Sequence, residues 1–88
     1  MADILIYTST TCPYCVRAKR LLEKKGAAYQ ELNVETSSEL RDEMLLRSNG
    51  RRTVPQIFIH GQHVGGCDDL YAMESAGTLD GLLRGEGV

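Results

Sequence analysis

The spacing of apolar and polar residues divides the chain into a regular series of short elements. Ile4-Leu5-Ile6-Tyr7 is a continuous apolar run of strand length, which suits a strand buried on both faces of a sheet. It leads into a polar loop, Thr8 to Thr11. The helix expected next directs Val16, Ala18, Leu21 and Leu22 to the core and its charges outward, then stops at Gly26, which suits a C′ residue. Its length is about four turns. Ala28 to Val34 alternates less cleanly, with Ala28, Gln30, Leu32 and Val34 on one side and Tyr29, Glu31 and Asn33 on the other, as expected of a strand nearer a sheet edge.

Thr36-Ser37-Ser38-Glu39 fits a capping box, in which the Thr36 hydroxyl and the Glu39 carboxylate each satisfy an orphan backbone donor. The helix it opens should run to about Ser48 with Leu40, Met44 and Leu45 as its buried stripe, ended by Asn49-Gly50. Arg51 to Ile59 passes from basic loop to apolar strand, with Pro55 at the junction, where no ladder donor is lost. Gly61-Gln62 predicts a tight hairpin turn into His63-Val64-Gly65, and Gly66-Cys67-Asp68-Asp69 leads into a third helix with Leu70, Ala72 and Met73. Gly77 ends that helix, and Thr78 to Arg84 could add a short fourth. The order β-α-β-α-β-β-α(-α) is an α/β pattern. A right-handed βαβ unit supplies parallel strands, the hairpin adds an antiparallel one, and helices cover both faces. One domain is expected over residues 1–88, with an ordered core at about 3–84 and a mobile tail, Gly85-Glu86-Gly87-Val88.

Cys12-Pro13-Tyr14-Cys15 lies where the first helix should begin. Cysteines at i and i+3 share one helical face, close enough to form a disulfide by local adjustment. Pro13 suits the first helical position, where its missing N–H costs nothing. That makes Cys12 the N-cap residue, where free N–H groups and the helix dipole favour the thiolate, the form that attacks disulfides. Cys12 therefore reads as the nucleophile and Cys15, one turn deeper, as the resolving cysteine. The same spacing is also half of a zinc site, which Cys67, His60 or His63 could complete.

Charge adds little to this picture. The formal net charge is −2, which predicts neither a nucleic-acid nor an anionic-membrane partner. Arg17, Lys19, Arg20, Lys24 and Lys25 suit a solvated helical face and a helix C-terminus. Met1-Ala2-Asp3-Ile4 has no basic or long apolar stretch, so neither a signal peptide nor a membrane span is expected and the cytoplasm follows as the default. In that compartment three cysteines argue for a reactive pair plus one free thiol.

A CxxC at the mouth of a βαβ unit is a sign of a thioredoxin-like redox protein. Cys12-Pro13-Tyr14-Cys15, Thr53-Val54-Pro55 and Gly65-Gly66-Cys67-Asp68-Asp69, in that order and at that spacing, resemble the pattern of dithiol glutaredoxins of the small bacterial type. The resemblance runs from Ile4 to about Leu83. It implies a thioredoxin-like fold with a four-stranded mixed sheet, and a glutathione-dependent thiol–disulfide oxidoreductase working on glutathionylated or disulfide-containing proteins as a monomer. It implies glutathione as co-substrate and no metal. Thr53-Val54-Pro55 would hold the cysteinyl part of glutathione, with Pro55 as a cis-proline and the Val54 backbone N–H and C=O as its partners. Gly66, Cys67, Asp68 and Asp69 would take the γ-glutamyl end, and Arg52 and Tyr14 would border the glycyl end. For each a plainer reading stands: Asp68 or Asp69 as an N-cap, Arg52 as a solvated loop charge, Val54 as core, Cys67 as a small buried filler. No role is assigned to His60 or His63. Some relatives hold an iron–sulfur cluster between two protomers, an arrangement that Pro13 speaks against. One departure from the pattern is Ser9, where dithiol glutaredoxins commonly carry a lysine.

Overall fold

Residues 3–84 are described by the computed structural model; the C-terminal tail expected to be mobile lies outside them. β1 (Ile4–Thr8) and β2 (Gln30–Asn33) run parallel and are joined across one face by α1 (Pro13–Lys24). α2 (Ser38–Arg47) crosses to β3 (Gln56–Ile59), which lies antiparallel to β1, and a hairpin adds β4 (Gln62–Gly65). α3 (Cys67–Ala76) and α4 (Leu79–Leu83) complete the chain, and the sheet order is β2-β1-β3-β4.

The apolar run at Ile4 forms a central strand because both of its faces are covered. Ile4, Ile6, Ile57 and Ile59 point to one side, against Ala18, Leu21 and Leu22 of α1, Leu70 of α3 and Leu79 and Leu82 of α4. Tyr7, Phe58, Val34 and Met44 of α2 form a second cluster, with Leu5, Leu32, Leu40 and Val54 packed against it. Strand side chains alternate between faces, so the register Ile6↔Ile57 and Tyr7↔Gln56 decides which residues meet which helix. The Tyr7 ring packs edge-on against Phe58, and its hydroxyl donates to Glu43, tying α2 to the central strand. The four-stranded mixed sheet with helices on both faces is therefore present, with α1, α3 and α4 on one face and α2 on the other.

Four local expectations are corrected. Val16 is 42% exposed instead of packing in the core, and Cys15 takes that place. Each helical residue turns by about 100°, so Cys15, Ala18 and Leu22 at i, i+3 and i+7 define the buried face and Val16 falls outside it. The cap of α2 is Ser37, whose Oγ accepts from Leu40 N at 3.2 Å. Thr36 instead donates to the Asn33 carbonyl, and with Leu40 at N3 there is no carboxylate to close a capping box. The second strand is shorter than Ala28 to Val34, covering Gln30–Asn33 at the sheet edge. The hairpin turns at His60-Gly61, not Gly61-Gln62: both have positive φ (52° and 79°), as a type I′ turn requires, and Gln62 already pairs with Ile59.

The fully buried Leu22 and the exposed Leu46 (83%) give opposite expectations for the same residue type. Leu22→Ala should cost about 2–5 kcal/mol of unfolding free energy, and Leu46→Ser less than about 0.5 kcal/mol, measured by urea denaturation.

Candidate active site

The site forms where the C-terminal end of β1 meets the start of α1. Thr8, the last residue of β1, is buried, and its hydroxyl donates to Glu31 Oε2 at 2.7 Å. Lys19 pairs with the same carboxylate at 3.1 Å. These contacts, the Thr8 bond above all, hold the Glu31 carboxyl below its usual range although partial burial opposes them. β1, α1 and β2 are thus tied together beneath the loop that carries the cysteines.

Cys12 has extended backbone (φ −144°, ψ 101°) and caps α1, with Pro13 in the first turn. Its Sγ accepts from Cys15 N at 3.1 Å and lies 3.7 Å from the Val54 carbonyl, to which the thiol donates. Cys15 is 2% exposed. Burial first, then its hydrogen bond with Cys12, pushes the Cys15 thiol up to about 12, opposed by a bond from the Ser9 backbone and by the Lys19 charge. The two thiols therefore differ as the sequence predicts, one at the helix mouth and one sealed beneath it. All three cysteines are free thiols.

Opposite Cys12 stands the segment Thr53-Val54-Pro55, with a cis bond between Val54 and Pro55. This segment forms one wall of a hollow of about 490 Å³, with Tyr14 at the rim and Gly66, Cys67, Asp68 and Asp69 at the start of α3 on the far side. Asp69 folds back so that its Oδ2 accepts from Gly66 N at 2.8 Å. Gly65 makes room for this: its φ is +118°, and a Cβ there would stand 2.2 Å from the Asp69 oxygen. Tyr14 lies beneath the Arg17 guanidinium, 5.8 Å from its ring centre. Cys67 is buried, and burial, with Asp68 beside it, raises its thiol above the ordinary range.

Of the residues expected to contact glutathione, only Arg52 is absent from the walls of this hollow, which Cys12 and Cys15 do not line either. Arg52 lines a second one of about 210 Å³ with Ser9, Arg41 and Val54 among others. Val54 is the wall common to both. The cation in the larger hollow is Arg51, 3.6 Å from Asp69 Oδ2. Sequence reading passed over Arg51 and Arg41. Arg51 and Arg52 are indistinguishable by type, and the loop that separates them has no periodicity to assign their sides.

Among the described residues, no group of three or more His, Cys, Asp or Glu side chains is placed to hold a metal ion. His63 instead points at Gln56, its Nε2 2.7 Å from Oε1, and its ring stacks on Phe58. Burial and the Arg51 charge lower the His63 pKa below its usual value. Among the described residues no helix is long and apolar enough to cross a membrane.

Comparison with known proteins agrees with this geometry. The glutaredoxin family model matches residues 4–64. Glutaredoxin 3 of Escherichia coli strain K12 is 58% identical over 84 residues, covering 96% of this chain and 100% of that protein. Among solved structures, the solution structure of glutaredoxin from Brucella melitensis superposes with a TM-score of 0.85 at 57% identity, covering 100% of this chain and 94% of that one. A buckwheat glutaredoxin–glutathione complex superposes equally well, with a TM-score of 0.85 at 35% identity over 98% of this chain and 80% of its own. With a capping cysteine, a sealed partner one turn on and a facing Thr-Val-Pro segment, the chain belongs to the glutaredoxin family and is a glutathione-dependent thiol–disulfide oxidoreductase.

Proposed function

We propose that glutathione lies across Val54, with its sulfur at Cys12 and its two ends in the two hollows that Val54 separates. The observation that carries this reading is the position of Val54, whose carbonyl is 3.7 Å from Cys12 Sγ and which walls both hollows. The larger hollow offers the free N–H groups of the α3 N-terminus, Asp68 and Asp69 as anions, and Arg51 as cation. Both charges of an amino-acid head are matched there, which suits the γ-glutamyl end. The smaller hollow holds Arg41 and Arg52, which suit the glycyl carboxylate. Tyr14, expected at the glycyl end, lines the larger hollow, where its ring would cover the bound tripeptide. That glutathione binds the buckwheat relative supports this reading.

The Cys12 thiolate attacks the glutathione sulfur of a glutathionylated protein, forming Cys12–S–S–glutathione and releasing the protein thiolate, which takes up a proton. A second glutathione thiolate then attacks the glutathione sulfur of this adduct, giving glutathione disulfide and freeing Cys12. With a protein disulfide, Cys12 is left joined to the substrate; Cys15 loses its proton and attacks Cys12 Sγ, and two glutathiones reduce the resulting disulfide. Burial above all, and the hydrogen bond with free Cys12, keep Cys15 protonated; only the second contribution is lost once Cys12 is in a disulfide. Glutaredoxins have potentials of about −200 to −230 mV, near the cytosolic glutathione poise, so flux follows the pool in either direction. The cycle needs one copy of the chain and a reducing compartment, and we place it in the cytoplasm as a monomer.

Reduction of a small glutathione mixed disulfide, coupled to glutathione reductase, tests the reading directly; no turnover by the purified wild type would refute it. Cys12→Ser should abolish all activity. Cys15→Ser should retain mixed-disulfide reduction while losing most protein-disulfide reduction, and equal loss of both would show that the roles are misassigned.

Alkylation offers a second check. With its pKa at about 12, Cys15 in the reduced protein is thiolate in only about one molecule in ten thousand at pH 8. Iodoacetamide should therefore label Cys12 and spare Cys15, and the Cys15 rate should rise about tenfold per pH unit up to about 11. Peptide mapping by mass spectrometry gives both rates.

Ser9 borders the Arg41–Arg52 hollow. Ser9→Lys should lower the KM for glutathione about two- to fivefold at low salt and lose that gain near 1 M salt. A KM unchanged at low salt would place the glycyl carboxylate elsewhere.

A further inference from the structure

Gln56 is a polar side chain in an apolar place. It is 0% exposed at the start of β3, directly after Pro55, and pairs across the sheet with Tyr7. A buried amide is tolerated only where its donors and acceptor are matched. Here the amide nitrogen donates to the Thr53 carbonyl at 3.0 Å and to Thr53 Oγ1 at 3.2 Å. A carbonyl oxygen can only accept, so the amide nitrogen must face Thr53 and Oε1 must face the other way. There it meets His63 Nε2 at 2.7 Å, which must therefore carry a proton. His63 is itself held by stacking on Phe58, with ring centres 4.8 Å apart and planes 24° from parallel. A directed relay thus runs from β4 through β3 to Thr53.

The relay ends on the segment that faces the nucleophile. By bonding Thr53 from position 56, the amide closes a loop around Val54 and Pro55 from the inner side. An apolar side chain of the same length would fill the strand position equally well, yet it would leave the Thr53 carbonyl free to turn. A binding edge made of backbone holds its ligand best when its groups are already aimed, because ordering them on binding subtracts from affinity.

Resting on the reading that the Val54 backbone receives glutathione, we propose that Gln56, oriented by His63, is a positioning residue that sets the Thr53-Val54 backbone against Cys12 and so fixes the affinity for glutathione. Neither side chain touches the reacting atoms.

Four variants test this. Gln56→Met keeps the length and removes every hydrogen bond; the KM for glutathione should rise about three- to tenfold, the loss of roughly one net hydrogen bond, with kcat within about twofold. Gln56→Glu cannot donate to Thr53 and should behave alike. His63→Phe keeps the stacking and removes the donor, raising the same KM about two- to threefold, whereas His63→Gln restores a donor and should return it to the wild-type value.

The Thr53 and Val54 amide resonances of the ligand-free protein give a readout without glutathione. They should shift in Gln56→Met and His63→Phe and return in His63→Gln. Unchanged resonances, or a wild-type KM in folded Gln56→Met, would overturn the proposal; if Gln56→Met does not fold, equal behaviour of the two His63 variants does so. A wild type inactive on glutathione mixed disulfides would instead overturn the functional reading, and the resonances would still decide whether the relay positions the segment.

Discussion

A sulfur atom at a helix mouth and a carbonyl oxygen on a facing segment, 3.7 Å apart, set the constraint that the rest of the structure serves. Cys12 follows β1, Val54 precedes β3, and the antiparallel register of these strands brings the two segments face to face. That register depends in turn on side-chain sorting. A slip of one residue would send Ile57 and Ile59 toward α2 and Phe58 into the packed isoleucine layer. The fold thus protects a distance at the surface through apolar packing beneath it.

The packing also produces the inequality between the two thiols. α1 must bury Ala18, Leu21 and Leu22, and the same helical face carries Cys15 under with them while Cys12 stays at the helix start. The difference in exposure between the two sulfurs is therefore a by-product of how an amphipathic helix lies on a sheet. The alkaline limb of stability follows from it. A thiol with a folded pKa raised to about 12 keeps its proton where the unfolded chain has lost it, so its contribution is whole below about pH 9 and is lost as pH rises toward 12.

Periodicity made the elements legible, and the CxxC position made the place of Cys12 at the start of α1 legible, because both are local patterns with one physical solution. What escaped the sequence were choices between near-equivalent local solutions. Thr36 and Ser37 can each cap a helix, and the loop from Asn33 decided for Ser37. Arg51 and Arg52 carry the same group, and the course of an irregular segment sent one to each hollow. Gln56 showed no signal because a polar residue in an apolar strand reads as an interruption; its meaning lies in Thr53 and His63, one on each side of it in the chain. Val16 was misplaced for the opposite reason, an apolar residue one helical step outside the buried face.

The two outer strands have a further consequence. β2 and β4 are each four residues long, β2 carries the charged Glu31, and the pairing of β3 with β4 shifts register between Ile57 and Phe58. Short, charged or irregular borders offer poor templates for another chain's backbone. Two copies meeting rim to rim at these borders would find few donors and acceptors in line.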